Sequence, residues 1–181
     1  MTPSSQKCWY SKPVSPGWPL WGSISDVASH THHGPALELV PVAGKSDPAL
    51  ENAFAYYAEL ESKLVEVIGA AAENLEEAQI GWVSGKTQVN RNRHTDEAPI
   101  PRDEELFVLR VDTLSGMPIA VLVNMAAHPT NHPHGNNQFS ADFPGVMMAA
   151  VETETGAPCL FLQGAAGDMQ CDVDDSQWGK V

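Results

Sequence analysis

106-LFVLRVDTLSGMPIAVLVN-124 decides the fold of this chain, because it places two apolar runs on either side of a Ser115-Gly116 turn. Short apolar runs bounded by a turn predict a β-hairpin or two adjacent strands. The second run, Pro118–Asn124, is almost continuously apolar, as is typical of a strand buried on both faces of a sheet. We therefore predict that this run lies in the centre of a sheet.

Further helices and strands are predicted on both sides of this hairpin. Asp47-Pro48 has the residue types of an N-cap and first helical position, and the apolar residues that follow recur on one face of a long, core-packing helix. The other predicted elements are a strand at Ile80–Val89 with a break at Ser84-Gly85, a polar loop over 90–105, a helix from Asp142 to about Thr153, and a strand at Cys159–Gln163 that opens into the turn Gly164–Asp168. Strands interleaved with helices predict an α/β domain, a layered mixed sheet flanked by helices.

Composition limits the classes of function. The formal net charge is −13, a field that repels nucleic-acid phosphates, so no nucleic-acid partner is expected. No apolar run approaches the length of a membrane-spanning helix, and no signal-peptide pattern is visible. Residues 1–22 are rich in Trp and Pro without any period, which indicates an irregular arm of uncertain origin. We expect the folded domain to cover residues 23–181.

Histidines concentrate in two places. His30 and His32 stand at the end of a predicted strand over residues 24–32, and His128 follows the central strand. Because strand residues two apart point to one face, the first two imidazoles can converge, and zinc binds neutral imidazole well. The alternative is that all three are hydrogen-bonded structural residues. His132 and His134 look more like part of a solvated polar loop.

Five segments resemble motifs of the neutral/alkaline ceramidase family, and they occur in that family's order. They cover the chain from about Ile24 onward and are Ala28-Ser-His-Thr-His-His-Gly-Pro35, Val89-Asn-Arg-Asn-Arg93, Asn124-Met-Ala-Ala-His-Pro-Thr130, Ser140-Ala-Asp-Phe-Pro-Gly145 and Phe161-Leu-Gln-Gly-Ala-Ala-Gly-Asp168. The resemblance implies a partial ceramidase-like catalytic domain. It also implies zinc-dependent hydrolysis of N-acylsphingosine, a lipid-like amide, to a fatty acid and sphingosine.

The resemblance also implies roles for single residues. His30 and His128 match zinc ligands, and His32 matches a catalytic histidine that orients or protonates reacting groups. Arg91 matches a catalytic basic residue, with Arg93 as the alternative.

The chain departs from the family's pattern in its metal ligands, in one active-site residue and in the region before the first predicted strand, which is short and unlike the family; the first departure leaves the metal site incomplete. The family's other ligands, a glutamate and a tyrosine, lie downstream of the glycine-rich turn and would fall beyond Val181, and Gln170 stands where the family has an active-site serine. Weak metal binding and little activity are therefore expected. The alternatives are a non-catalytic fragment or scaffold of the same superfamily and a hydrolase of another ester or amide. Asp142 is either a helix cap or an acceptor that orients a zinc-binding histidine.

Overall fold

A computed structural model describes residues 8–10, 29–34, 48–131 and 138–172. Within these residues the chain divides into two compact units, one falling in Met1–His33 and Glu77–Val181 and the other in Gly34–Glu76. No helix in the described part is long and apolar enough to cross a membrane. The predicted boundary between residues 22 and 23 lies outside the described residues, but the predicted irregular arm is wrong for Cys8–Tyr10, which form a strand paired with residues 80–82.

The unit within Gly34–Glu76 contains helix α1, Pro48–Glu73. The predicted helix is therefore confirmed, and its proposed cap, Asp47, lies outside the described residues. In the apolar stripe that was expected to face a core, Leu64 is 39% exposed and Ile68 is half-buried, while the side chains of Leu50, Phe54 and Tyr57 lie outside the described residues. Only Leu60 and Ile68 are half-buried among the described apolar residues of this helix.

The other unit is built on a five-stranded mixed sheet. The strand bounds are β1 Cys8–Tyr10, β2 Ala78–Lys86, β3 Asn90–Asn92, β4 Glu105–Thr113, β5 Pro118–Met125, β6 Cys159–Gln163 and β7 Met169–Cys171. The sheet order is β1-β2-β4-β5-β6, and every pairing is antiparallel except that of β5 with β6. The strand β5 lies between β4 and β6, and its hairpin with β4 was predicted correctly.

One helix packs on this sheet. Helix α2, Asp142–Thr155, ends at Gly156, whose φ of 69° allows its N–H to reach the carbonyl of Glu152. Its apolar side chains cover the buried face of the two parallel strands, and the residues in contact are Val121, Val123 and Cys159 with Met147, Met148 and Val151. The predicted α/β class with a mixed sheet is confirmed, and most of that sheet is antiparallel.

The predicted break in β2 does not exist. Ser84 and Gly85 pair in register with Phe107 and Leu106, and the hydroxyl of Ser84 donates to Glu105 Oε1 at 2.8 Å. A Cβ atom at Gly85 would meet only the Leu106 carbonyl, at 4.0 Å. The glycine therefore fits an ordinary paired strand, and the Ser-Gly dipeptide signals no turn here.

A second, small sheet replaces part of the predicted polar loop. β3 pairs with β7 in antiparallel register, with Arg91 opposite Gln170. Asn90 is fully buried, and its amide group donates to the carbonyls of Asp103 at 2.6 Å and Ala126 at 2.7 Å. The bond to Ala126 ties β3 to the residue just beyond the central strand, and the bond to Asp103 ties it to the segment before β4. The small sheet therefore lies beside the end of β5, where the histidines are found.

Candidate metal centre

His128 stands three residues after the end of β5 and is 9% exposed. Its backbone forms an isolated parallel bridge with Gln170 of β7, and its N–H donates to the carbonyl of Met169 at 2.9 Å. The central strand and the small sheet thus fix the backbone of His128 from two sides. His30 and His32 are exposed, so the cluster described next is open to solvent on one side.

Three imidazoles meet at this point. The ring centroids of His30 and His128 are 4.8 Å apart, those of His30 and His32 are 5.1 Å apart, and those of His32 and His128 are 5.9 Å apart. One nitrogen from each ring can be chosen so that all three lie within 4.8 Å of one another. We call these residues the histidine cluster. Three imidazole rings at such distances offer the nitrogen donors of a zinc or other transition-metal site.

The ring of His128 is held in one tautomer. Its Nδ1 lies 2.6 Å from the carbonyl oxygen of Ala166 and 3.1 Å from that of Met169. Because a carbonyl oxygen only accepts, Nδ1 carries the proton and donates it. Nε2, the other ring nitrogen, is left free of this carbonyl contact, and Arg93 Nη2 lies 3.4 Å from it. A second ring nitrogen bonded in this way is the usual support of a metal-binding histidine.

The segment that carries His30 and His32 is tied to two neighbouring loops. The hydroxyl of Thr31 donates to the carbonyl of Ser140 at 2.7 Å, and the N–H of Ser140 donates to the carbonyl of His33 at 3.0 Å. The N–H of His32 faces the carbonyl of Pro129 at 3.5 Å. These contacts bring the two exposed imidazoles over His128.

The predicted strand before these histidines is wrong for its described part. Residues 29–31 have no regular structure, and a turn starts at His32, while residues 24–28 lie outside the described residues. His30 has a φ of 60°, in the left-handed region that side chains other than glycine seldom adopt. The two rings therefore converge through a bend of the backbone at His30 and not through strand alternation.

Asp142 holds the loop after His128. Its two carboxylate oxygens accept from the N–H of Asn131 at 2.8 Å and from the Asn131 side-chain amide at 3.0 Å. One of them also accepts from the N–H of Phe143, at 2.6 Å. Asp142 itself has a φ of 55° and is 3% exposed. The oxygens that accept from His128 are backbone carbonyls, so Asp142 acts at the loop and the helix start and does not orient that ring directly.

The two arginines considered from the sequence have different partners. Arg93 places Nη2 3.4 Å from His128 Nε2 and 2.9 Å from the carbonyl of Gly167, to which it donates. Arg91 forms an ion pair with Asp172 at 3.4 Å. It also donates from Nε, at 3.3 Å, to the side-chain oxygen of Gln170 when that amide is turned toward it. A guanidinium beside the cluster thus comes from Arg93, the alternative in the sequence analysis, while the assignment of Arg91 remains a prediction.

The cluster favours neutral imidazole at His32. Burial lowers the pKa of His32 below its usual 6.5, and the nearby His30, His128 and Arg93 lower it further. A neutral ring keeps a lone pair for a metal or a proton.

Several contacts of this site could not be predicted from the sequence. The carbonyls of Ala166 and Met169 are backbone atoms, and the pairing of Asn131 with Asp142 joins residues 11 positions apart. The position of Asn131 directly after the segment Asn124–Thr130 was the one feature of the sequence that could have indicated its part in this site. His132 and His134 lie outside the described residues.

Comparison with known proteins establishes the fold. No protein-family model and no curated protein matches the chain. Neutral ceramidase from Pseudomonas aeruginosa has a similar structure, with a TM-score of 0.57 and 20% identity over 69% of this chain and 22% of that one. A ceramidase complexed with C2 gives a TM-score of 0.61 and 22% identity over 81% of this chain and 25% of that one. The chain therefore has a ceramidase-like fold and spans about a quarter of the length of these two proteins.

Proposed function

We propose that this domain serves a zinc-dependent hydrolase that cleaves the amide bond of a lipid-like N-acyl compound such as ceramide. The observation that carries the proposal is the histidine cluster, in which one ring nitrogen from each of His30, His32 and His128 lies within 4.8 Å of the other two. The ceramidase-like fold supports the choice of an amide as the substrate class.

The donor set fits zinc. The ion would be held by His30 and His128, whose ring centroids lie 4.8 Å apart, within the span that two nitrogens bonded to one ion require. When bound, zinc supplies polarisation of a carbonyl group and a more acidic water. The exposed side of the cluster leaves room for a substrate.

The remaining residues of the site would act on the substrate. By the ceramidase resemblance, His32 would exchange protons with the reacting groups of the substrate, and Arg91 would supply a positive charge near them. Arg93 offers a second guanidinium, 3.4 Å from His128 Nε2, which can donate hydrogen bonds to an oxygen that becomes negative during hydrolysis.

A fluorogenic N-acyl substrate, with and without added zinc, tests the proposal. Turnover that requires zinc and is lost in His30→Ala supports it. The matched control is His94→Ala, since His94 is an exposed histidine outside the cluster. Absence of turnover under every condition would favour the second candidate, a non-catalytic scaffold. The presence of Gln170 where the family has an active-site serine supports that candidate. Turnover of small acyl esters or amides but not of ceramide would point to another substrate.

A further inference from the structure

We infer that His32 is a third metal ligand in this chain, so that His30, His32 and His128 form a three-imidazole metal centre. The inference rests on the proposed metal chemistry of the same site. It replaces the acid/base role that the ceramidase resemblance gives to His32.

The spacing of the ring nitrogens carries the inference. Nε2 of His30 and Nε2 of His32 lie 3.4 Å apart. Two nitrogens that bind one zinc ion at about 2.1 Å with tetrahedral angles are separated by roughly 3.4 Å. The pair that the resemblance divides into one ligand and one catalytic residue thus has the separation of two ligands to the same ion.

The third ring completes the geometry with a small movement. All three candidate nitrogens lie within 4.8 Å of one another, so the longest separation has to shorten by roughly 1.4 Å to reach the tetrahedral value. His30 and His32 are exposed and can rotate, whereas His128 is buried and fixed through Nδ1. The planes of the rings cross at 71°, 76° and 81°, so no two rings stack face to face.

The backbone bends at His30, next to the point where the two exposed rings converge. The left-handed φ of 60° at His30 is unfavourable for a residue with a Cβ atom, and such strain persists where surrounding contacts impose it. Those contacts are present on both sides of His32, through Thr31 to Ser140 and through the His32 N–H to Pro129.

A three-histidine centre changes what the chain can do alone. Three protein ligands with one open position are the usual set of a catalytic zinc, so the chain needs no further ligand to hold the ion. We therefore expect zinc to bind at one equivalent, in place of the weak binding expected from two ligands.

Metal affinity tests the inference without any assay of hydrolysis. Zinc competition against a chromogenic chelator, and the visible spectrum of the cobalt(II)-loaded chain, are measured for the parent chain and for His30→Ala, His32→Ala and His128→Ala. We expect each substitution to lower the affinity at least about 100-fold, above the 10–100-fold effect of residues that only support a ligand. His94→Ala should leave the affinity unchanged, and far-UV circular dichroism checks that each variant is folded.

Chemical rescue adds an independent readout. Because His32 is exposed, imidazole added to His32→Gly can enter the vacated space and should restore zinc affinity and the cobalt spectrum. Loss of affinity in His30→Ala and His128→Ala with full retention in His32→Ala would overturn the inference and leave the proposed function standing. Failure of the parent chain to bind zinc or cobalt would remove both.

Discussion

Nδ1 of His128 lies 2.6 Å from the carbonyl oxygen of Ala166, so the glycine-rich turn after β6 sets the orientation of the buried ring in the histidine cluster. The same turn offers the carbonyl of Gly167 to Arg93, whose guanidinium approaches the other nitrogen of that ring. The turn therefore supports the cluster although none of its side chains faces it as a ligand. Substitutions in the turn should therefore change the affinity of the histidine cluster for a metal ion.

Gly164→Ala should destabilise the fold and weaken metal binding together. A Cβ atom at Gly164 would lie 2.9 Å from the carbonyl carbon of Met125 and 3.0 Å from the nitrogen of Ala126, both backbone atoms that cannot move aside cheaply. We expect a loss of about 1–3 kcal/mol in the free energy of unfolding. Urea denaturation and zinc competition measure the two effects.

Gly167→Ala is the matched control for this substitution. A Cβ atom there meets nothing within 4 Å, and Gly167 has no positive φ. Equal losses of stability in the two variants would show that close packing at Gly164 is not the cause.

Asp142→Asn should destabilise the domain by about 1–3 kcal/mol, because three hydrogen-bond donors face its carboxylate and an amide can accept at only one end. Those donors are the N–H and side-chain amide of Asn131 and the N–H of Phe143. Asparagine also tolerates the left-handed backbone at this position, so the change isolates the hydrogen bonds from the strain. Thermal and urea unfolding give the readout.

Asp172→Asn serves as its control. Asp172 and Arg91 form an exposed ion pair at 3.4 Å, with side chains 59% and 49% exposed, and such pairs contribute little to stability. Comparable destabilisation in the two variants would contradict the role given to Asp142.

Arg93→Ala should raise zinc affinity several-fold, since it removes a positive charge and a hydrogen-bond donor that stand 3.4 Å from His128 Nε2. Arg91→Ala should change zinc affinity less, because Arg91 pairs with Asp172 and Gln170. Zinc competition at low and high salt distinguishes the two arginines. A larger increase for Arg91→Ala than for Arg93→Ala would contradict this assignment.

Most of the fold could be predicted because local patterns specify it. The hairpin around Ser115-Gly116 and the strand at Cys159–Gln163 each follow from continuous apolar segments. The helix Asp142–Thr155 begins next to its predicted start, although its N-cap is Ala141, which makes no side-chain capping bond. β3 and β7 escaped prediction because each has only three residues and each depends on partners far away in the sequence. The two strands pair with each other, and the side chain of Asn90 in β3 donates to the carbonyl of Ala126. The Ser84-Gly85 pair misled for the same reason, since pairing with β4 overrides its turn tendency.

The residue types of the site could be predicted from the sequence, but the hydrogen bonds and the backbone conformation that hold them could not. The spacing of His30 and His32 and the position of His128 after an apolar strand pointed to one cluster, which the structure brings together. The bend at His30 and the bond from His128 to a backbone carbonyl depend on the folded chain. The difference between Arg91 and Arg93 depends on which partner each meets, and their spacing of two residues gives no means to choose.

Alkaline pH should weaken the fold through Cys171. This buried thiol packs with Met125, Ala127 and Phe161, and burial raises its pKa from the ordinary 9.0 to about 11, with the nearby carboxylates of Asp142 and Asp172 adding to the shift. Between these two values the unfolded chain loses the thiol proton while the folded chain keeps it. The unfolded state then binds fewer protons, so the free energy of unfolding falls as pH rises from 9.0 toward about 11.

Urea denaturation below, within and above this pH window should show a steeper loss of stability for the parent chain than for Cys171→Ala, which lacks the titrating thiol and keeps all other titrating groups. Parallel pH profiles for the two chains would refute this assignment, because a packing defect from the lost thiol lowers stability equally at every pH.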